Sequence, residues 1–261
     1  MLLLVFQRYT ERKWHLLFTL LFSICFPVFA QDMNTLIREG NRLEAIPDEN
    51  AAFHKFREVI KVNPVNIYAL NKCSELCSRI GQRQKDQKAR DDYYRAAKTY
   101  ASIALKVNPN DGEANCVMAM ALGRSSMSKT GKEKIENARE VRKYVDISLR
   151  NDPRNFKAWH ILGRWHYEIT NLNFLERAAV KVIYGGLPHA SIKESITAFE
   201  NARVFAPGLL LNYLEMAKAY KQDGQKTKAI AYLRLMLTLP NQTEDDPAIK
   251  EYGRKLLKDW D

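Results

Sequence analysis

One stretch concentrates side chains able to do chemistry: Trp159, His160, Arg164, Trp165, His166, Tyr167 and Glu168 stand close together in the chain. On a helix, residues four apart share a face, so His160 sits with Arg164 and Trp165 with Ile169. Such a set would line a ligand pocket. The alternative is aromatic core packing with each histidine satisfied by a neighbour, because aromatic residues dominate cores and interfaces alike. Neither histidine belongs to an HExxH pair, so zinc proteolysis is not supported. No serine sits in a GxSxG elbow. Gly131-Lys132 is followed by Glu133 with no strand before it, which is not a phosphate loop. Without a nucleophile, an acid–base pair or a metal set, the chain reads as a non-enzyme that needs no cofactor and no metal.

Cys73, Cys77 and Cys116 follow a fourth cysteine, Cys25, near the N-terminus. Cys73 and Cys77 are four apart on one predicted helix, where the backbone strains a disulfide. No histidine or aspartate cluster completes a metal set around them, so the reading is small buried core residues. A second group lies at 174–184. Phe174, Leu175, Val180, Val182 and Ile183 alternate there with Arg177 and Lys181. This reads as a short amphipathic helix. It either covers apolar core, narrows a concave face, or docks on a membrane. If it lines a groove, Arg164, Arg177 and Lys181 are the expected contacts to an acidic partner, with Trp165 and Tyr184 beside them.

The elements that must position these residues are set by a returning proline phrase. Lys61-Val62-Asn63-Pro64 recurs as Lys106-Val107-Asn108-Pro109 and Arg150-Asn151-Asp152-Pro153. Val204-Phe205-Ala206-Pro207 and Leu237-Thr238-Leu239-Pro240 complete the series. Proline cannot continue a helix, so each phrase marks a helix stop at a fixed place in a helix pair. The spacings are 45, 44, 54 and 33 residues, against a tetratricopeptide period of about 34. The extra length is expected between the two helices of each pair, in charged stretches such as 82–92 and 126–133, where insertion costs little. The stretch 82–92, which lacks an apolar stripe, is either such an insertion or an extended solvated helix start. Predicted helices run over 35–44, 51–62, 67–80, 93–107, 111–125 and 135–149, with Gly81 expected as a C-terminal cap. Trp159-His160-Ile161-Leu162-Gly163 matches the W-x₂-L-G start of the tetratricopeptide repeat. A charged amphipathic helix at 247–260 would cap the open end. The fold class is therefore all-α, a tetratricopeptide-like right-handed superhelix of antiparallel helix pairs with long inter-helix insertions.

Composition bounds the partner. Lys and Arg number 41 against 30 Asp and Glu, for a net charge of +11. A basic excess favours anionic partners; an acidic protein or peptide is expected here, lipid is the alternative, and nucleic acid is not expected. Arg8, Arg12 and Lys13 precede an apolar stretch from Leu16 to Phe29 and a Val28-Phe29-Ala30 site. This reads as a signal peptide over 1–30, cut before Gln31, with a single domain over 31–261 exported to a periplasm or the medium. An uncleaved membrane anchor is the rival reading.

The string from Trp159 through Asn171-Leu172-Asn173-Phe174-Leu175-Glu176-Arg177, Tyr184-Gly185-Gly186-Leu187-Pro188 and Ala206-Pro207-Gly208 closely resembles the regulator of microtubule dynamics protein family. The resemblance covers most of the chain after the leader. It implies a tetratricopeptide-like interaction module and, in that family, association with microtubules and organelle membranes. An exported protein would not meet tubulin, so tubulin is the one implied partner that the leader argues against. The expected function is a scaffold that takes a peptide or acidic protein on a concave helical surface. A lipid or anionic-membrane module is the alternative, as is a microtubule-associated regulator if the leader stays uncut.

Overall fold

The computed structural model describes residues 33–127 and 129–260, with the side chains of Leu175, Ala179 and Tyr184 outside that description. The expected signal peptide and its cleavage site lie outside the described residues. Every regular element among them is a helix. In order these are α1 (33–45), α2 (Glu49–Val62), α3 (Ile67–Arg83), α4 (Gln87–Val107), α5 (Gly112–Ser126), α6 (Gly131–Asn151), α7 (Phe156–Thr170), α8 (Phe174–Tyr184), α9 (Ile192–Phe205), α10 (Leu210–Gln222), α11 (Lys226–Thr238) and α12 (Asp246–Trp260).

The proline phrase is a two-sided device. The residue before each proline ends one helix: Asn63, Asn108 and Asp152 each donate a backbone N–H back to the preceding turn. Their side-chain oxygens accept from Val65, Asn110 and Arg154, forming tight Asx turns. Two residues past the first three prolines, Asn66, Asp111 and Asn155 cap the next helix by accepting from Ala69, Ala114 and Ala158. Six residues past three of the prolines, a side chain donates back to the proline carbonyl: Asn115 to Pro109, Trp159 to Pro153 and Tyr213 to Pro207. The tryptophan of the W-x₂-L-G phrase thus clamps its own turn. Its glycine does a different job. A Cβ on Gly163 would lie 2.6 Å from the Phe199 ring, so only glycine lets α7 and α9 approach this closely. The Gly163 carbonyl also accepts from Ser195 across that contact.

The helix pairs are α3 with α4, α5 with α6, α7 with α9 and α10 with α11. First members also touch one another, α3 with α5, α5 with α7, α7 with α10 and α10 with α12. Among the described residues, second members make no comparable contact with one another. One layer is therefore tight and the other splayed, which curves the array and puts α3, α5, α7, α10 and α12 on its concave side. Apolar core fills the space between layers, from Phe56, Val59 and Leu76 at one end to Phe199, Leu210, Leu233 and Met236 at the other.

The extra length of the repeats is mostly helix. Only 84–86 separate α3 from α4, and 127–130 separate α5 from α6. The charged run 82–92 ends α3 and starts α4, so its second expected form, an extended solvated helix start, is the one that occurs. Gly81 does not cap α3. The helix continues to Arg83, and a Cβ at Gly81 would lie 2.8 Å from that of Tyr93, so the glycine serves close packing of α4. One true insertion exists, 171–191, which carries α8 between α7 and its partner α9.

Candidate functional site: the charged concave face

The inner helices carry charge at helical spacing. On α3, Lys72, Glu75, Arg79 and Arg83 recur every three or four residues and form one stripe. Lys157, Arg164 and Glu168 share a face of α7 at spacings of seven and four residues, Glu113 and Arg124 a face of α5 eleven apart, and Glu215 and Lys218 a face of α10 three apart. The stripes meet across the curve. Lys157 reaches Glu75 at 2.8 Å, two inner helices away, and also pairs with Glu113. Lys72 meets Glu44 at 2.7 Å. Lys218 meets Glu215 at 2.9 Å. Burial opposes the charge of Glu75, but Lys157, Lys72 and Arg79 together hold its carboxyl well below the ordinary carboxylate range. Burial also opposes the charge of Lys157, and Glu75 and Glu113 overcome it and raise its pKa.

The array closes on itself. Glu49, fully buried at the start of α2, pairs with Arg79 and, at 2.7 Å, with Arg83. Arg83 in turn meets Glu244 at 3.2 Å and Asp245 at 3.3 Å, just before α12. The Glu49 backbone N–H donates to Glu244 at 2.8 Å. First and last units are thus clasped by one ion network, and the concave face becomes the lining of a closed curve.

The residues expected at the site separate. Arg164 lies on the inner face, half-buried, with Glu168 of the next turn at 3.3 Å. Its face-mate His160 is buried. The Nδ1 atom is 3.0 Å from Asn212 Oδ1, and burial lowers its pKa to about 4, so the ring is neutral near pH 7. Trp165 is 6% exposed, donates to the Ala138 carbonyl at 2.7 Å and lies under Arg142. It packs α7 on α6, with the His166 ring edge-on beside it and 3.6 Å from Glu194 of α9. Arg177 and Lys181 are exposed on α8, and Tyr184 ends that helix with its side chain outside the described residues. The helix α8 rests against α6, a member of the outer layer, so it does not narrow the concave face. Val180 is its buried contact, whereas Phe174, Val182 and Ile183 are 78%, 83% and 65% exposed. Arg164 and the α8 cations are therefore two separate surfaces. The sequence reading missed the α3 stripe, for which charges recurring every three or four residues on a predicted helix were the available signal, and it missed Arg124, for which no such local pattern exists.

Among the described residues no group of histidine, cysteine and carboxylate side chains is arranged to hold a metal. Cys73, Cys77 and Cys116 are buried and free, and burial pushes Cys77 up to about 12, which makes it a poor nucleophile.

Known proteins share both the sequence and the fold. A crystal structure of a thermophilic tetratricopeptide protein from Thermus thermophilus superposes with a TM-score of 0.64 over 87% of this chain and 99% of that one, at 14% identity, which shows the fold. "Regulator of microtubule dynamics protein 3" of Xenopus laevis is 26% identical over 174 residues, 66% of this chain and 37% of that protein. "Regulator of microtubule dynamics protein 2" of Homo sapiens is 24% identical over 166 residues, 63% of this chain and 40% of that protein. The match thus spans about two fifths of these relatives' length. The family described as "Regulator of microtubule dynamics protein 1-3" matches residues 36–261. With proline phrases, paired helices and the 171–188 insert in one continuous match, the chain belongs to this family.

Proposed function

We propose that the protein is a non-enzymatic scaffold that takes an acidic peptide or protein segment on the face formed by α3, α5, α7, α10 and α12. The observation that carries this reading is the charged lining of an inward layer whose backbone is fixed by outer helices. Curved helical arrays use such faces to hold extended segments. Peptides selected from a random display library on the protein test it. Arg164→Glu on the inner face should weaken them about tenfold or more, while Lys106→Glu at the outer end of α4 should leave them unchanged. A library that yields no binder, or equal effects from both variants, would sink the reading.

A second reading is favoured by α8, whose exposed Phe174, Val182 and Ile183 flank Arg177 and Lys181 in the pattern of an interfacial helix. Here Val182→Asp with Ile183→Asp should release the protein from phosphatidylserine vesicles in a flotation assay; unchanged flotation removes this reading.

The relatives' names support a microtubule as the assembly on which the scaffold works, so the expectation against tubulin has no support from them. That expectation rested on the leader alone. Cleavage before Gln31 with export is the proposal for the leader, and the intact mass of the native protein checks it. A cut chain removes tubulin as partner, and an uncut one returns it.

A further inference from the structure

We propose that Arg124, with Arg164 beside it, anchors one carboxylate of an acidic segment bound on the concave face, which rests on the scaffold reading above. Arg124 lies eleven residues after Glu113 on α5, three helical turns on, and so shares the face that meets Lys157. Every other inner cation named above has a carboxylate within ion-pair distance. Arg124 has none: among the described residues no salt bridge and no side-chain hydrogen bond involves it. Three helices and the turn before α12 bring charge or a phenol near it, Arg164 from α7, Tyr94 from α4, Glu215 from α10 and Asp245 just before α12. The two nearby carboxylates are already engaged, Glu215 by Lys218 and Asp245 by Arg83. Burial, then the like charge of Arg164, lower the Arg124 pKa to about 10, the direction expected for a cation that lacks a counter-ion.

Local pairing selects the ligand. The inner network holds no excess of cations, but Arg124 is the inner cation named above that lacks a carboxylate at ion-pair distance, and a monoanionic carboxylate supplies that partner. A dianionic phosphate would overshoot and meet the field of Glu215 and Asp245. A guanidinium presents donors in a planar fork that matches both oxygens of a carboxylate. Arg164 can join it at small cost, because its Glu168 partner is 59% exposed and contributes little as a surface pair.

The test uses a fluorescein-labelled heptapeptide of alternating glutamate and leucine and its glutamine counterpart, followed by fluorescence anisotropy. The wild type should prefer the glutamate peptide, and Arg124→Gln should weaken that peptide about tenfold while leaving the glutamine peptide unchanged. Arg124→Lys, a point charge without the fork, should fall between them. The melting temperature of Arg124→Gln should equal or exceed that of the wild type, since a half-buried cation without an ion-pair partner is removed. A drop in melting temperature would show that the fold already compensates Arg124, and would overturn the proposal. Equal binding of the glutamate peptide by wild type and Arg124→Gln would overturn the anchor while leaving the scaffold reading to its own inner-versus-outer test. Loss of phosphatidylserine vesicle binding in Arg124→Gln, with neither peptide bound by the wild type, would overturn it in favour of a lipid headgroup.

Discussion

At the scale of the residue, burial and charge separate packing from binding. His160 and Trp165 attract attention as chemistry-bearing residues, yet both are satisfied inside the fold, by Asn212 and by the Ala138 carbonyl. Their contribution is stability, and for His160 that stability depends on pH. Its folded pKa lies near 4, below the ordinary 6.5. Between those values the unfolded chain takes up a proton that the folded chain refuses, so stability is full above pH 6.5 and falls as pH drops towards 4. The loss is up to about 3 kcal/mol. Glu75, held down by Lys157, Lys72 and Arg79 against its burial, carries the same sign below the ordinary carboxylate range. Denaturant midpoints measured from pH 7 to pH 4 should therefore fall steadily, and His160→Gln should flatten the upper part of the curve. Identical slopes for wild type and variant would refute the assignment.

At the scale of the element, the proline phrase positions everything else. Asn155 shows how much one residue of it does: it caps α7 by accepting from Ala158 and donates to Glu113 on α5 at 2.9 Å. Asn155→Ala should lower unfolding free energy by roughly 1–2 kcal/mol, a cap plus one hydrogen bond. Asn155→Ser, which keeps the cap, should recover part of that in urea denaturation; a serine variant no better than alanine would mean the cap carries nothing. These turns were legible in the sequence because capping is local chemistry, set by the residues within a few positions of each proline. The length of α3, α4 and α6 was not. Gly81 reads as a stop by propensity, but packing against Tyr93 keeps it inside the helix, and long-range contact outweighs a local preference of about 1 kcal/mol.

For the whole molecule, the decisive feature is closure. Arg83 ties α3 to Glu49, Glu244 and Asp245, and together with the Glu49 N–H donating to Glu244 it joins the two ends of the described chain. Arg83→Ala should loosen the clasp and raise the radius of gyration in small-angle X-ray scattering. High salt should act in the same direction on the wild type, since these pairs are only partly buried. Superimposable scattering curves would show that the apolar layers alone hold the curvature. An opened array would also spread the inner face, so binding at Arg164 and the clasp are expected to respond together.

By itself the sequence determined the helix pairs, their order, a terminal helix at 247–260 and the family, because each is carried by residues close in the chain: prolines, N-caps, apolar stripes and the 171–188 insert. Only the tertiary structure decided which charges meet. Lys157 with Glu75, and Arg83 with Asp245, are ion pairs between residues far apart in sequence, and no local pattern encodes a curvature that arises from small rotations summed over successive pairs. Helix packing likewise set α8 against α6, buried Trp165 between α7 and α6, and left Arg124 without a carboxylate partner among the described residues.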